Sequence, residues 1–197
     1  MEPFLPFRFA FLFLLLATMA VGAWYRIRAH TSERLDRRQE GLFILIFLRL
    51  AGFAFWTVML WWIIQPAPFS RFHLELPVWL RWAGVAVFAM SIAWIRYVFR
   101  SLGRNLTDTV VTRKEATLIT HGPYRWVRHP LYATLLPLGL AICLIQRSWL
   151  PAALIVPVFL ALWLRTSKEE QNLLARFGKQ YHDYMQRTGR FLPRLFA

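Results

Sequence analysis

Residues 131–164 read LYATLLPLGL AICLIQRSWL PAALIVPVFL ALWL. Two apolar runs, Leu131–Ile145 and Trp149–Leu164, are parted only by Gln146, Arg147 and Ser148. A bilayer core takes about 20 mostly apolar residues per helix, with about 17 as the lower limit. Both runs fall near that limit. So short a polar break predicts two helices folded back on each other as a tight hairpin. Pro137, Pro151 and Pro157 lack an amide donor and should start or bend these helices.

Working outward, three further runs have spanning length: Phe4–Tyr25 with Arg8 inside it, Leu42–Ile64 with Arg49, and Pro77–Phe99 with Arg81 and Arg96. The sequence therefore predicts an all-α integral membrane protein with five transmembrane helices. Arg26, Arg28, Arg34, Arg37 and Arg38 follow the first run. That order suits a retained span better than a cleaved signal. Ser167–Gln186 reads as an amphipathic cytoplasmic tail helix, with Gly178 as its expected break. Residues 1–197 form one expected domain: three spans over 1–99, then the loop, hairpin and tail over 100–197.

Composition agrees. Of the 197 residues, 57% are hydrophobic and 17% charged, where soluble domains carry about 25% charged. The mean hydropathy is +0.39. This argues against a soluble globular protein and excludes the fibrous and disordered classes. Cys143 is the single cysteine, which excludes an intrachain disulfide framework and a cysteine-cluster metal site; no metal site is expected.

The net charge of +14 belongs to topology rather than to nucleic acid, for which no motif is present. Eighteen Lys/Arg residues fall in the loop 26–41, the loop 100–130 and the tail from 165. Only Arg71 and Arg147 fall on the opposite side. The basic side faces the cytoplasm, so the N-terminus is expected outside and the C-terminus inside. Membrane lipid is an expected partner of the basic side.

Polar residues at suggestive spacings concentrate beyond residue 100. His129-Pro130 predicts a helix start, since proline suits the first helical position. The free amides there favour a carboxylate or phosphate. Arg128 and His129 stand beside that end, as site residues or as anchor and cap. Arg165 and Glu169 are four apart and share a helix face. They form either an interfacial salt bridge or a functional pair. Asn105 is a candidate polar contact or a turn residue. Arg8 and Arg49 are expected to snorkel or to face another helix, and Cys143 to pack in the core.

The run Gly122-Pro123-Tyr124 to Arg128-His129-Pro130-Leu131-Tyr132 resembles the signature of the isoprenylcysteine carboxyl methyltransferase family. So do Leu102-Gly103-Arg104-Asn105 and Glu169-Glu170 followed by Phe177-Gly178, Tyr181, Tyr184 and Pro193. The resemblance covers about residues 100–195 and looks like the small prokaryotic members, which implies a prokaryotic inner-membrane location. It implies S-adenosylmethionine as methyl donor, with S-adenosylhomocysteine as product. The implied cofactor contacts are Ala116, Thr117, Leu118, Ile119, Tyr124, His129, Pro130, Leu131, Tyr132 and Glu170. Arg165 and Glu169 are the implied catalytic pair on the acceptor side, with Arg128 as second choice. Relatives often carry His where Ala116 stands, and Gly where Thr134 stands.

The implied acceptor is a lipophilic or lipidated carboxylate arriving sideways from the inner leaflet. A carboxylate is already ionised at pH 7, so it needs orientation and no general base. A planar arginine fork supplies that orientation. Phospholipid N-methyltransferases share much of the pattern and form the alternative, with Glu169 or Glu170 as base. A sterol-reductase-like protein and a non-catalytic membrane scaffold complete the set. The charge asymmetry makes a direct prediction. On a Cys143→Ala background, a cysteine at position 113 should label from the cytoplasmic side and one at 71 from outside; the reverse pattern would invert the topology.

Overall fold

The computed structural model describes residues 4–30, 42–105 and 117–194. Every regular element among them is helical: α1 Phe4–Ala29, α2 Leu42–Ile64, α3 Val78–Leu102, α4 Pro130–Ala133, α5 Leu135–Gln146, α6 Leu150–Phe177 and α7 Lys179–Arg187. Four of these, α1, α2, α3 and α6, are long and apolar enough to cross a membrane. The architecture is that of an integral membrane protein. The remaining apolar stretch, Pro130–Gln146, is shorter.

That stretch starts at Pro130, as the His129-Pro130 dipeptide leads one to expect. It divides at Thr134 for a covalent reason. The Ala133 carbonyl would accept from residue 137, but Pro137 has no amide hydrogen. The helix resumes with Leu138 N donating to Thr134 O at 3.1 Å. Thr134 Oγ1 meanwhile donates to Pro130 O at 2.7 Å.

Helix α6 departs from expectation. The last apolar run and the first half of the tail are one uninterrupted helix, which passes through Thr166-Ser167-Lys168 and ends at Phe177. The chain breaks at Gly178, as expected, and α7 follows.

The core is aromatic. Phe11 of α1 meets Trp62 of α2 edge-on at 5.5 Å and Phe88 of α3 at 5.9 Å. Met59, Ile142, Ile145 and Ile155 fill the surrounding space. Cys143 of α5 is buried as well. The reverse side of the bundle exposes Phe9, Phe13, Phe43 and Phe53, the apolar outer surface that lipid covers.

The two core arginines each find an acceptor. Arg8 donates from Nε to Ile63 O at 2.7 Å and from Nη2 to Ile64 O at 3.0 Å. These are final carbonyls of α2, which no amide of that helix can satisfy. Arg81 lies 3.7 Å over the Phe7 ring and donates to Ile145 O at 3.2 Å. Arg49 is exposed.

The α5–α6 turn is pinned from outside. Leu74 N donates to Arg147 O at 2.8 Å, and Trp149 N to Phe72 O at 3.2 Å. Within the bundle α3 crosses α5 at Gly84. A Cβ there would sit 2.8 Å from Leu144 Cβ and 2.9 Å from Ala141 O. Neither neighbour is a flexible side-chain end, so the helices themselves would have to separate. Gly84→Val should therefore cost about 1–3 kcal/mol by overpacking. Thermal unfolding in detergent should show a lowered midpoint for Gly84→Val. Gly52→Ala, where nothing lies within 4 Å, should change little. An unshifted midpoint for Gly84→Val would mean the crossing is looser than the geometry requires.

Candidate functional site

The site is assembled where three pieces of chain meet: the segment 121–132 before α4, the polar half of α6, and the return after α7. Thr188, Gly189 and Arg190 run beside Trp126–His129 as a short parallel pairing. Arg128 N donates to Gly189 O at 2.9 Å, His129 N to Arg190 O at 3.0 Å, and Gly189 N to Trp126 O at 3.2 Å. Position 189 admits only glycine, because a Cβ would lie 1.7 Å from Leu192 O.

Side chains lock the same junction. Glu170 is 4% exposed. Its Oε1 accepts from Arg128 Nε at 2.7 Å and lies 3.3 Å from His129 Nε2. Its Oε2 accepts from Arg190 Nη2. Arg128 Nη1 reaches further, to the carbonyls of Met185 and Thr188. A buried carboxylate requires such compensation, because water no longer solvates it.

Glu169, one residue earlier, points about 100° around the helix and is partly open. Its side chain is 26% exposed. Oε2 accepts from Tyr132 Oη at 3.2 Å and lies 3.9 Å from His129 Nδ1. The His129 and Tyr132 rings lie parallel with centroids 5.6 Å apart. Phe191 closes the other side, 5.8 Å from the His129 ring and 5.4 Å from Phe159.

Three tyrosines line this region with their protons held. Burial first, then the nearby Glu169, pushes the Tyr124 phenol well above its ordinary range. Burial raises Tyr181 likewise, with Glu170 adding to it. Tyr184 is pushed up to about 12, again by burial. Tyr184 Oη donates to Tyr124 O at 2.6 Å. Tyr181, 1% exposed, has a hydroxyl with no hydrogen-bond partner among the described residues.

His129, Tyr132 and Glu169 come together, and Tyr124 stands near Glu169. Pro130 is buried at the start of α4. Asn105 donates from Nδ2 to Thr117 O at 2.9 Å, fixing the start of the segment Thr117-Leu118-Ile119. Ala116 lies outside the described residues.

Glu169 is engaged by Tyr132 and His129, which come from the segment across from its helix. Arg165 is buried one turn away. Arg128 and Glu170 face each other and, with Arg190, hold the tail. Leu131 packs toward Ala29, Ile95 and Phe99. Sequence reasoning missed Arg190, Gly189 and Phe191. The available signal was Gly189 directly after a helix, which marks a turn. Among the described residues no three His, Cys, Asp or Glu side chains gather as a metal site.

Comparison with known proteins follows the same residues. Residues 82–175 match the model of the isoprenylcysteine carboxyl methyltransferase family. A protein-S-isoprenylcysteine O-methyltransferase of Tribolium castaneum is 33% identical, over 58% of this chain and 42% of its own. A nickel-cobalt-cadmium resistance protein of Alcaligenes xylosoxydans xylosoxydans is 34% identical, over 58% of this chain and 53% of its own. The structure of a eukaryotic intramembrane Ras methyltransferase, an isoprenylcysteine carboxyl methyltransferase, superimposes with a TM-score of 0.51 at 27% identity. That match covers 74% of this chain and 51% of the other. The chain spans about half the length of these relatives.

Removing the Glu170 charge tests the junction. Glu170→Gln leaves Arg128 and Arg190 without their common counter-charge and His129 without its carboxylate neighbour, and breaking a buried pair costs about 3–5 kcal/mol. Hydrogen exchange should then speed by at least about tenfold in peptides covering 126–130 and 185–191, with the core of α3 unchanged. Unaltered protection would mean the backbone pairing holds the tail by itself.

Proposed function

We propose, from the match of residues 82–175 to the isoprenylcysteine carboxyl methyltransferase family, that the protein is a membrane methyltransferase of that family acting on the carboxylate of a lipid-like or prenylcysteine-like acceptor. What carries this reading is the meeting of His129 and Tyr132, from one motif, with Glu169, from a motif about forty residues away. We further take Pro130–Gln146 as a fifth crossing, with the N-terminus outside and the site on the cytoplasmic side of a prokaryotic inner membrane. The eighteen-to-two charge asymmetry supports that orientation.

The methyl donor in this reading is S-adenosylmethionine, which supplies when bound a methyl group on a positively charged sulfur. The residues present suit such a group. The unpartnered Tyr181 hydroxyl is a buried donor and acceptor that a ligand could satisfy. Glu169 keeps an exposed edge for ligand hydroxyl or amino groups, and the paired His129 and Tyr132 rings offer a flat wall. Thr117, Leu118, Ile119 and Tyr124 complete that side. Glu170, Arg128 and Arg190 hold it in place.

The acceptor carboxylate needs no base, being ionised at pH 7. It needs to be oriented and separated from water. Arg165, buried one turn before Glu169, is the proposed fork for it. Phe191, Phe159 and Trp163 make an apolar flank beside His129.

Incubation with methyl-labelled donor and host membranes, followed by base, tests the reaction. A methyl ester releases volatile methanol. Label that stays base-stable on lipid amine would instead make the protein an N-methyltransferase. Arg165→Lys should lower turnover by about 10–150-fold, the loss of one charged hydrogen bond, with affinity for S-adenosylhomocysteine nearly kept. Tyr132→Phe and Glu169→Gln should weaken that affinity. If Arg165→Lys loses product binding and the other two do not, the division of the site is reversed.

A further inference from the structure

A cavity of about 470 Å³ opens at the shared end of α1 and α3, lined by Trp24, Tyr25, Arg28, Arg96, Arg100 and Gly103. Its size falls within the about 300–1,000 Å³ of small-ligand pockets. Three guanidinium groups face it and no carboxylate lines it. Among the described residues none of the three has an ion-pair partner in Asp or Glu. Three like charges around one cavity repel, and an anion relieves that repulsion.

The surroundings say what kind of anion. Arg96 and Arg100 lie four apart on α3, so both point from one face. The same face continues away from them as the exposed alanines Ala93, Ala89 and Ala86, along the apolar length of the helix. Arg28 lies 4.1 Å over the Trp24 ring, and that indole is 55% exposed. Tyr25 contacts Phe99 at 5.7 Å and closes the floor over Ala29 and Ile95. An arginine rim, an interfacial indole and an apolar track below match an anionic headgroup with acyl chains attached. A free anion would use the rim and leave the track idle.

We propose that this cavity binds the phosphate headgroup of an anionic glycerophospholipid, with an acyl chain lying along the alanine face of α3. Arg28, Arg96 and Arg100 hold the phosphate by charged hydrogen bonds, for which the guanidinium fork is suited. No residue of the Glu169–Glu170 junction lines this cavity. Trp126 stacks on Trp94, on a different face of α3.

Native mass spectrometry of the full chain in detergent, titrated with phosphatidylglycerol or phosphatidylcholine, tests this. Phosphatidylglycerol should be retained as one tight adduct and phosphatidylcholine should not. Arg96→Gln combined with Arg100→Gln should weaken phosphatidylglycerol binding by at least about tenfold, whereas Arg71→Gln, at the other end of the bundle, should leave it unchanged. If the double variant fails to keep its helical melting transition, Arg28→Gln gives the same comparison. Equal binding by wild type and the arginine variants would overturn the proposal. Displacement of the lipid by millimolar inorganic phosphate would also overturn it, making the cavity a site for a free anion.

Discussion

A carboxylate shut away from water has to be surrounded by positive charge and donors, and the position of Glu170 forces the chain to supply them from three separate places. Arg128 and His129 come from the segment before α4, and Arg190 from the return after α7. Desolvating these groups costs several kcal/mol per ion, so each must find its partner for the others to remain buried. The backbone pairing of 126–129 with 188–190 runs alongside and fixes the register. Everything else at this end depends on that knot, including the facing of His129 and Tyr132 toward Glu169.

Two adjacent glutamates therefore differ in use because a helix turns about 100° per residue. Glu170 is saturated by cations and acts on the architecture. Glu169 retains an exposed edge beside two parallel rings and is available to a ligand. The phenols of Tyr124, Tyr181 and Tyr184 stay protonated over the physiological range, so they contribute hydrogen bonds without adding negative charge. A polar but nearly neutral wall beside a single open carboxylate suits the proposed handling of a cationic methyl donor.

Much of this was legible in the sequence. Runs of twenty apolar residues can hardly be anything but helices in lipid, and His129-Pro130 marked a helix start because proline tolerates few other positions. The polarity change at Thr166-Ser167-Lys168 misled, since helix ends follow backbone hydrogen bonds and not wetness; α6 simply leaves one environment for another. The Arg165–Glu169 spacing gave a shared helix face, but the contacts of Glu169 with Tyr132 and His129 come from what packs across that face, which spacing along one helix does not reveal. The tail return was illegible because pairing between residues sixty apart leaves no period. Arg8 illustrates the opposite case: a charge in an apolar run looked costly until the end of α2 supplied its acceptors.

The unbroken course of α6 also acts as a ruler. At about 1.5 Å of rise per residue, its 28 residues extend about 42 Å, longer than the roughly 30 Å hydrocarbon core. Glu169 and Glu170 sit five and six residues beyond Leu164, the last of the apolar run, which sets them about 8–9 Å further along the same rigid rod. On the proposed placement of the site at the membrane face, that is headgroup depth. A molecule whose greasy portion stays among the acyl chains would present its polar end at that height without leaving the bilayer. One residue inserted after Leu164 would raise the carboxylates by about 1.5 Å and swing them by about 100°. Elevation and aim are thus set together by one continuous helix, which leaves the chain little freedom to alter either alone.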